Sequence, residues 1–180
     1  IKLWRTWKRY LVNANLRSTS AVLGFPRIGP QREVKKALEA YWGDKISAEE
    51  LLKVAKEQRL NTYATIKEQG VDFVPTGTFS LYDHVLDMSN TLGIIPEAYA
   101  TSGLSQLDTY FAMARGHQKG GVDLPATEMK KWFDSNYHYL VPEFSEASEF
   151  SLNNLKPVDD FVEAKEAGYN ARPVILGPLT

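Results

Sequence analysis

GFPRIGPQREVKK, residues 24–36, is the stretch on which the reading of this chain turns. Just before and into it, Ala21 to Phe25 has the length and bounding residues of a short buried strand, which Pro26, Gly29 and Pro30 break into a turn. A helix is predicted from Gln31 onward, because Val34, Ala37, Leu38, Tyr41 and Trp42 recur at the spacing that puts apolar side chains on one helical face. Its first turns carry Arg32, Lys35 and Lys36. A helix N-terminus already presents unpaired N–H groups and partial positive charge, so cations there compound the charge and a bound anion relieves it. The competing reading is a solvated charged face on which Glu33 and Glu39 offset the cations.

Composition narrows the class. A chain of 180 residues, 43% hydrophobic and 24% charged, can bury one sizeable core. It has no cysteine, which excludes disulfides and thiolate metal sites and goes with a reducing compartment. No apolar run approaches the roughly 18 residues that a membrane span needs. Residues 1–20 hold five of the 21 basic side chains and no acid, leaving 16 cations against 22 acids in the body. An acidic body argues against a nucleic-acid module, which carries a basic footprint. Within residues 1–20, Leu3, Trp4, Trp7, Tyr10 and Leu11 fall near one helical face among cations. That pattern suits a targeting or membrane-surface helix; the reading preferred here is an atypical, appended basic extension.

Further along, Ser47-Ala48-Glu49-Glu50 fits a capping box, followed by a long helix through Ile66 that Gly70 stops. Val71 to Pro75 alternates like a strand. Ser80 to Asp83 reads as a second capping box, ahead of a stripe at Val85, Leu86, Met88 and Leu92. Leu104, Leu107, Tyr110, Phe111 and Ala114 predict another helix, and Gly116 to Pro125 an exposed, mobile connection. Glu128 to Asp134 is expected to form a helical turn, and Asn136 to Val141 a strand. Pro157 suits the first turn of a helix that Gly168 ends, and Pro173 to Leu176 is the last strand. Alternating strands and helices argue for an α/β protein with a parallel sheet. Closure into a (βα)8 barrel takes eight strands and typically about 250 residues, so the expectation is an incomplete barrel belonging to a larger protein.

The segments GFPRIGPQREVKKALEAYW, FSLYDHVLD, YFAMARG, EMKKWFDSNYHYLVPEF and PVILGPLT occur in an order that resembles the amino-terminal part of cobalamin-independent methionine synthase, from about Ala21 to Thr180. The resemblance implies an α/β fold, the first part of the amino-terminal TIM-type barrel of a two-barrel enzyme. It implies an S-methyltransferase that moves the methyl group of 5-methyltetrahydropteroyltriglutamate to homocysteine, forming methionine, in the cytoplasm and without cobalamin. Zinc, bound by Cys, His and Glu of the second barrel, would activate the homocysteine sulfur by removing its proton. Those ligands would lie outside this chain, which alone would be inactive and would depend on the missing carboxy-terminal barrel. The other reading is a non-catalytic half-barrel binding module.

Residue by residue, the family's Arg-Glu-Leu-Lys segment, which contacts the folate's glutamate tail, falls on Arg32, Glu33, Val34 and Lys35, with Val34 departing conservatively. The Lys of its Glu-Met-Thr-Lys segment falls on Lys131, Lys130 replacing the Thr, which leaves open which lysine meets ligand. The Asn of Asp-Thr-Asn-Tyr-His-Tyr falls on Asn136, which could equally satisfy backbone groups. His84, His117 and His138 sit in unrelated segments without metal-ligand spacing, Asp83 beside His84 reads as a cap, and Trp132, Phe133, Tyr137 and Tyr139 read as packing rather than a pterin-stacking box. Gly116 to Gly121 lacks the ending of a phosphate loop.

Overall fold

A computed structural model describes residues 18–177. The amphipathic pattern expected within residues 1–20 lies almost wholly outside them. Helix α1 (Glu33–Trp42) buries Val34, Ala37 and Leu38, the face that the apolar spacing predicts. Helix α2 (Ala48–Glu68) begins at the expected capping box: the Ser47 N–H donates to Glu50 Oε2 at 2.7 Å and the Glu50 N–H to Ser47 Oγ at 3.2 Å. It ends before Gly70, whose φ of +78° suits a residue without Cβ.

Strand β1 (Val74–Thr76) is buried along its whole length and pairs in parallel with β6 (Ala171–Pro173), Val74 opposite Ala171. On its other side a single parallel bridge joins Phe73 to Ala21. The strand predicted from Ala21 to Phe25 is therefore corrected to one rung, and Leu23 is 83% exposed. Pro75 accounts for this. The Phe73 N–H donates to Ser20 O at 3.1 Å, and the next donor on that side would be residue 75, which as proline has none. Helix α6 (Lys156–Glu166) starts with Pro157 in its first turn, as expected, and packs with α2 on this sheet through Tyr63, Ile66, Val74 and Ala164.

Between β1 and α6 the chain inserts three helices and two hairpins around the main core. Helix α3 (His84–Thr91) is capped by Asp83, whose carboxylate accepts from the Leu86 N–H at 2.8 Å. The capping box expected at Ser80 is corrected to a single side-chain cap three residues on, since a carboxylate at the helix start takes the cap and Ser80 is buried in the preceding loop. Helices α4 (Glu97–Ala100) and α5 (Gln106–Arg115) follow, α5 capped by Ser105. The connection read as mobile is instead a hairpin of β2 (His117–Lys119) and β3 (Val122–Leu124). Gly120 and Gly121, at φ +62° and +83°, form the two-residue turn that matches strand twist. The helical turn expected at Glu128 to Asp134 is strand β4 (Met129–Lys131), paired antiparallel with β5 (His138–Leu140). That distant partner overrides local helix preference. The last strand also lies upstream of its expected place, and a bond from the Val174 N–H to Thr76 O at 2.9 Å extends the ladder one residue beyond β6. The fold is α/β, with one parallel pair and two antiparallel hairpins among the described residues.

Candidate functional site

The site begins where β1 ends. Gly77 has φ +81°, and a Cβ there would lie 2.8 Å from the Val174 backbone oxygen, so only glycine lets the chain leave the sheet at this point. The loop that follows, 78–83, is held from three directions. Arg27 Nη2 donates to Tyr82 O at 2.8 Å and Nη1 to Leu81 O at 3.4 Å. The Tyr110 hydroxyl accepts from the Tyr82 and Asp83 N–H groups at 3.1 and 3.3 Å. Lys156 Nζ donates to Phe79 O at 2.8 Å.

Beneath the loop is a buried polar cluster. Tyr110 donates its proton to Asp87 Oδ1 at 2.7 Å, and Lys156 Nζ sits 2.6 Å from Asp160 and 3.7 Å from Asp87 Oδ2, the latter within ion-pair reach but beyond a hydrogen bond. Arg59 closes the cluster with a two-pronged contact to Glu163 at 2.7 and 2.8 Å. Desolvation pushes the Asp87 carboxyl above the ordinary aspartate range, against the pull of Lys156, and burial beside Asp87 holds the Tyr110 phenol well above its ordinary value. Asp83 is likewise raised by desolvation, although backbone donors at Leu86 and Leu140 oppose the shift.

Above the loop lies an open cleft of about 540 Å³, whose walls include Arg27, Tyr82, His84, Trp132, Tyr137 and His138. Asp83 joins its two sides by accepting from the Leu140 N–H at 3.4 Å, which docks the β4–β5 hairpin on the start of α3. His84 and His138, from separate segments, both line this cleft. The packing role expected of all four hairpin aromatics is corrected. Trp132 and Tyr139 pack with centroids 4.6 Å apart and ring planes tilted by 45°, but Phe133 is 93% exposed at φ +49° and Tyr137 is 78% exposed. Among the described residues no group of three or more His, Cys, Asp or Glu could hold a metal ion.

The expected site residues fall into two groups, and no hydrogen bond or ion pair among the described residues joins them directly. Arg32 is the N-cap of α1 in the left-handed region at φ +64°, exposed and without a capping side-chain bond. Glu33 folds back to accept the Gln31 N–H at 3.0 Å. Val34 is 0% exposed and its N–H donates to Ile28 O, so it contributes packing. Lys35 is exposed, 3.6 Å from Glu39. In the second group, Lys130 pairs with Glu128 at 2.8 Å, which raises its ammonium above the ordinary range, whereas Lys131 has no ion pair among the described residues. Lys131 lies opposite His138 in the ladder and so shares the face of a cleft-lining residue. Asn136 is in the turn of the same hairpin. Sequence reasoning passed over Arg27, which lines this cleft and also a neighbouring groove of about 600 Å³ beside Pro30 and Glu33. Its one signal was its place in the GFPRIG turn.

No helix among the described residues is long and apolar enough to cross a membrane. Residues 19–180 match the family described as cobalamin-independent synthase, N-terminal domain. The chain is 58% identical over 167 residues to a Schizosaccharomyces pombe protein named "Probable 5-methyltetrahydropteroyltriglutamate--homocysteine methyltransferase", which covers 89% of this chain and 22% of the relative. Proteins named 5-methyltetrahydropteroyltriglutamate--homocysteine methyltransferase from Saccharomyces cerevisiae and Caulobacter vibrioides are 54% and 51% identical over 167 and 178 residues, covering 89% and 90% of this chain and 22% and 23% of their own length. The chain thus spans between a fifth and a quarter of the curated relatives it matches. It belongs to the cobalamin-independent synthase N-terminal domain family.

Proposed function

We propose that this chain is the folate-binding part of a cobalamin-independent methionine synthase, a methyltransferase that passes the methyl group of 5-methyltetrahydropteroyltriglutamate to homocysteine. In this reading the parallel pair β1–β6 and the bridge at Ala21 are the first lanes of a (βα)8 barrel, whose later strands and the second, carboxy-terminal barrel belong to the rest of the polypeptide. Zinc would be held there, since this chain has no cysteine and offers no converging ligand set among its described residues. The work done here is binding: Lys35, with Arg32 at the start of α1, and Lys131, with Asn136 on the hairpin, take the carboxylates of the glutamate tail. A cytoplasmic setting goes with the reading.

The observation that carries it is Lys131, an exposed cation with no ion pair among the described residues, paired in the ladder with His138, which lines the cleft. Support at the other end comes from α1, where cations crowd a helix start. In the complete polypeptide, Lys35→Ala and Lys131→Ala should each weaken binding of the triglutamate substrate about five- to tenfold in isothermal titration. Unchanged affinity in both variants would refute the assignment.

A further inference from the structure

The two cationic groups touch different elements, yet hydrogen bonds linked by short stretches of backbone run from one to the other. Arg27 sits in the turn that delivers α1, and its guanidinium grips the successive carbonyls of Leu81 and Tyr82 at 3.4 and 2.8 Å. One residue on, Asp83 takes the Leu86 N–H at 2.8 Å and the Leu140 N–H at 3.4 Å with the same oxygen. Leu140 faces Met129 across the hairpin, and the Val141 N–H donates to Glu128 O at 2.8 Å, closing its base. Lys131 stands two residues along β4 from Met129, and Asn136 in the turn beyond. Arg27 meets no carboxylate among the described residues, so its hydrogen-bonding capacity is spent on the loop rather than on an ion pair.

We propose that Arg27 and Asp83 are positioning residues that set the separation between the α1 cations and the hairpin cations, and thereby the tail length that the site favours. This rests on the reading of the preceding section. An oligoglutamate presents carboxylates at a regular spacing, so two cationic points a set distance apart reward the chain whose carboxylates reach both. A displacement of about 1 Å between them weakens simultaneous contact with both, a loss that falls only on a tail long enough to reach both. A purely structural role makes a different prediction: loosening the loop would weaken every ligand alike.

The test titrates the complete polypeptide with 5-methyltetrahydropteroyl mono-, di- and triglutamate. Arg27→Lys keeps the charge and loses the two-pronged grip; Asp83→Ala loses the acceptor; Asp83→Asn keeps an oxygen acceptor. Arg27→Lys and Asp83→Ala should raise the triglutamate Kd at least about fivefold more than the monoglutamate Kd, with Asp83→Asn restoring most of that difference. Equal weakening at every tail length, or no weakening, overturns the proposal. Should Asp83→Ala fail to fold by circular dichroism, Arg27→Lys decides alone. Lys35→Ala and Lys131→Ala are run beside them. If these leave the tail-length dependence intact, the assignment of the site falls; if they flatten it while Arg27→Lys and Asp83→Ala do not, only the positioning role falls.

Discussion

Replacing Tyr110 by Phe removes one oxygen from the point where the loop meets the buried cluster. The ring stays, with its edge contact to Phe111 at 5.3 Å. Lost are the charge-assisted bond to Asp87 Oδ1 at 2.7 Å and the acceptor for two N–H groups, Tyr82 at 3.1 Å and Asp83 at 3.3 Å. A hydrogen bond to a charged group contributes about 1.5–3 kcal/mol and each stranded buried donor costs about 1–3 kcal/mol, so even with long amide bonds the sum comes to about 3–5 kcal/mol. That is a large part of a typical domain stability of about 5–15 kcal/mol. Urea unfolding followed by tryptophan fluorescence measures it. The pH dependence adds a second check. Asp87 is raised above its ordinary 3.8 by desolvation, and Tyr110 is one of the groups that pull it back down. A carboxyl raised in the folded state adds stability below the ordinary value and loses it as pH climbs through the folded value. Without the hydroxyl the folded value climbs further, so the gap between wild type and Tyr110→Phe should be widest at neutral pH and narrow toward pH of about 4. A loss under about 1 kcal/mol at neutral pH, or a gap that widens on acidification, would refute the reasoning.

At the hairpin, Lys131→Ala should raise the Kd for the triglutamate about fivefold, whereas Lys130→Ala, whose ammonium is taken by Glu128, should leave it within about twofold; the reverse order would assign the role to Lys130. Arg59→Ala strands Glu163, whose side chain is only 15% exposed, and should destabilise the fold by about 3 kcal/mol. The double variant Arg59→Ala, Glu163→Ala should lose less than that, and additive losses would show that the pair is not coupled. Gly77→Ala meets both a left-handed φ and the Val174 carbonyl, and should cost about 2–3 kcal/mol in urea unfolding. Gly70→Ala, with a similar φ and open space, should cost about 1 kcal/mol, and equal losses at the two positions would remove the steric argument.

What could be read from the sequence was local. The spacing of Val34, Ala37 and Leu38, the Ser47–Glu50 capping box and Pro157 in the first turn of α6 each depend on residues within a helical turn or two, and each appears as expected. The misreadings share another cause. Met129 to Lys131 takes its conformation from β5, and the Ala21 segment loses its ladder because Pro75, more than fifty positions away, has no N–H to give. The Gly120–Gly121 pair was legible as a hairpin turn, and reading it as mobile overlooked that left-handed glycines match strand twist. At the site, the charges at Lys35 and Lys131 could be found by motif, but Arg27 reaches carbonyls 54 and 55 residues away, and no local pattern announces that. His84 and His138 come to line one cleft for the same reason.

These long-range bonds explain why a loop can serve as a foundation here. Connecting segments are usually the mobile parts of a fold, because few buried contacts restrain them. The loop at 78–83 differs in that its backbone polar groups are claimed by side chains from three separate elements, Arg27 before α1, Tyr110 on α5 and Lys156 on α6. One of those three, Tyr110, is itself hydrogen-bonded to Asp87, a carboxylate whose burial is unfavourable when charged, while Lys156, bonded to Asp160 at 2.6 Å, stands only within ion-pair reach of it. An apolar side chain at position 87 would relieve that desolvation, yet it would release the phenol, and with it the grip on the Tyr82 and Asp83 amides of the loop that Asp83 uses to seat the hairpin. The buried charge is therefore better understood as a device for rigidity than for stability, which is the distinction that Asp87→Asn would expose. It should hold thermal stability near wild type at neutral pH, where relief from desolvation offsets the weakened grip on Lys156, while loosening hydrogen-exchange protection of the Tyr82 and Asp83 amides. Unchanged protection at those two amides would mean that the loop is rigid for some other reason.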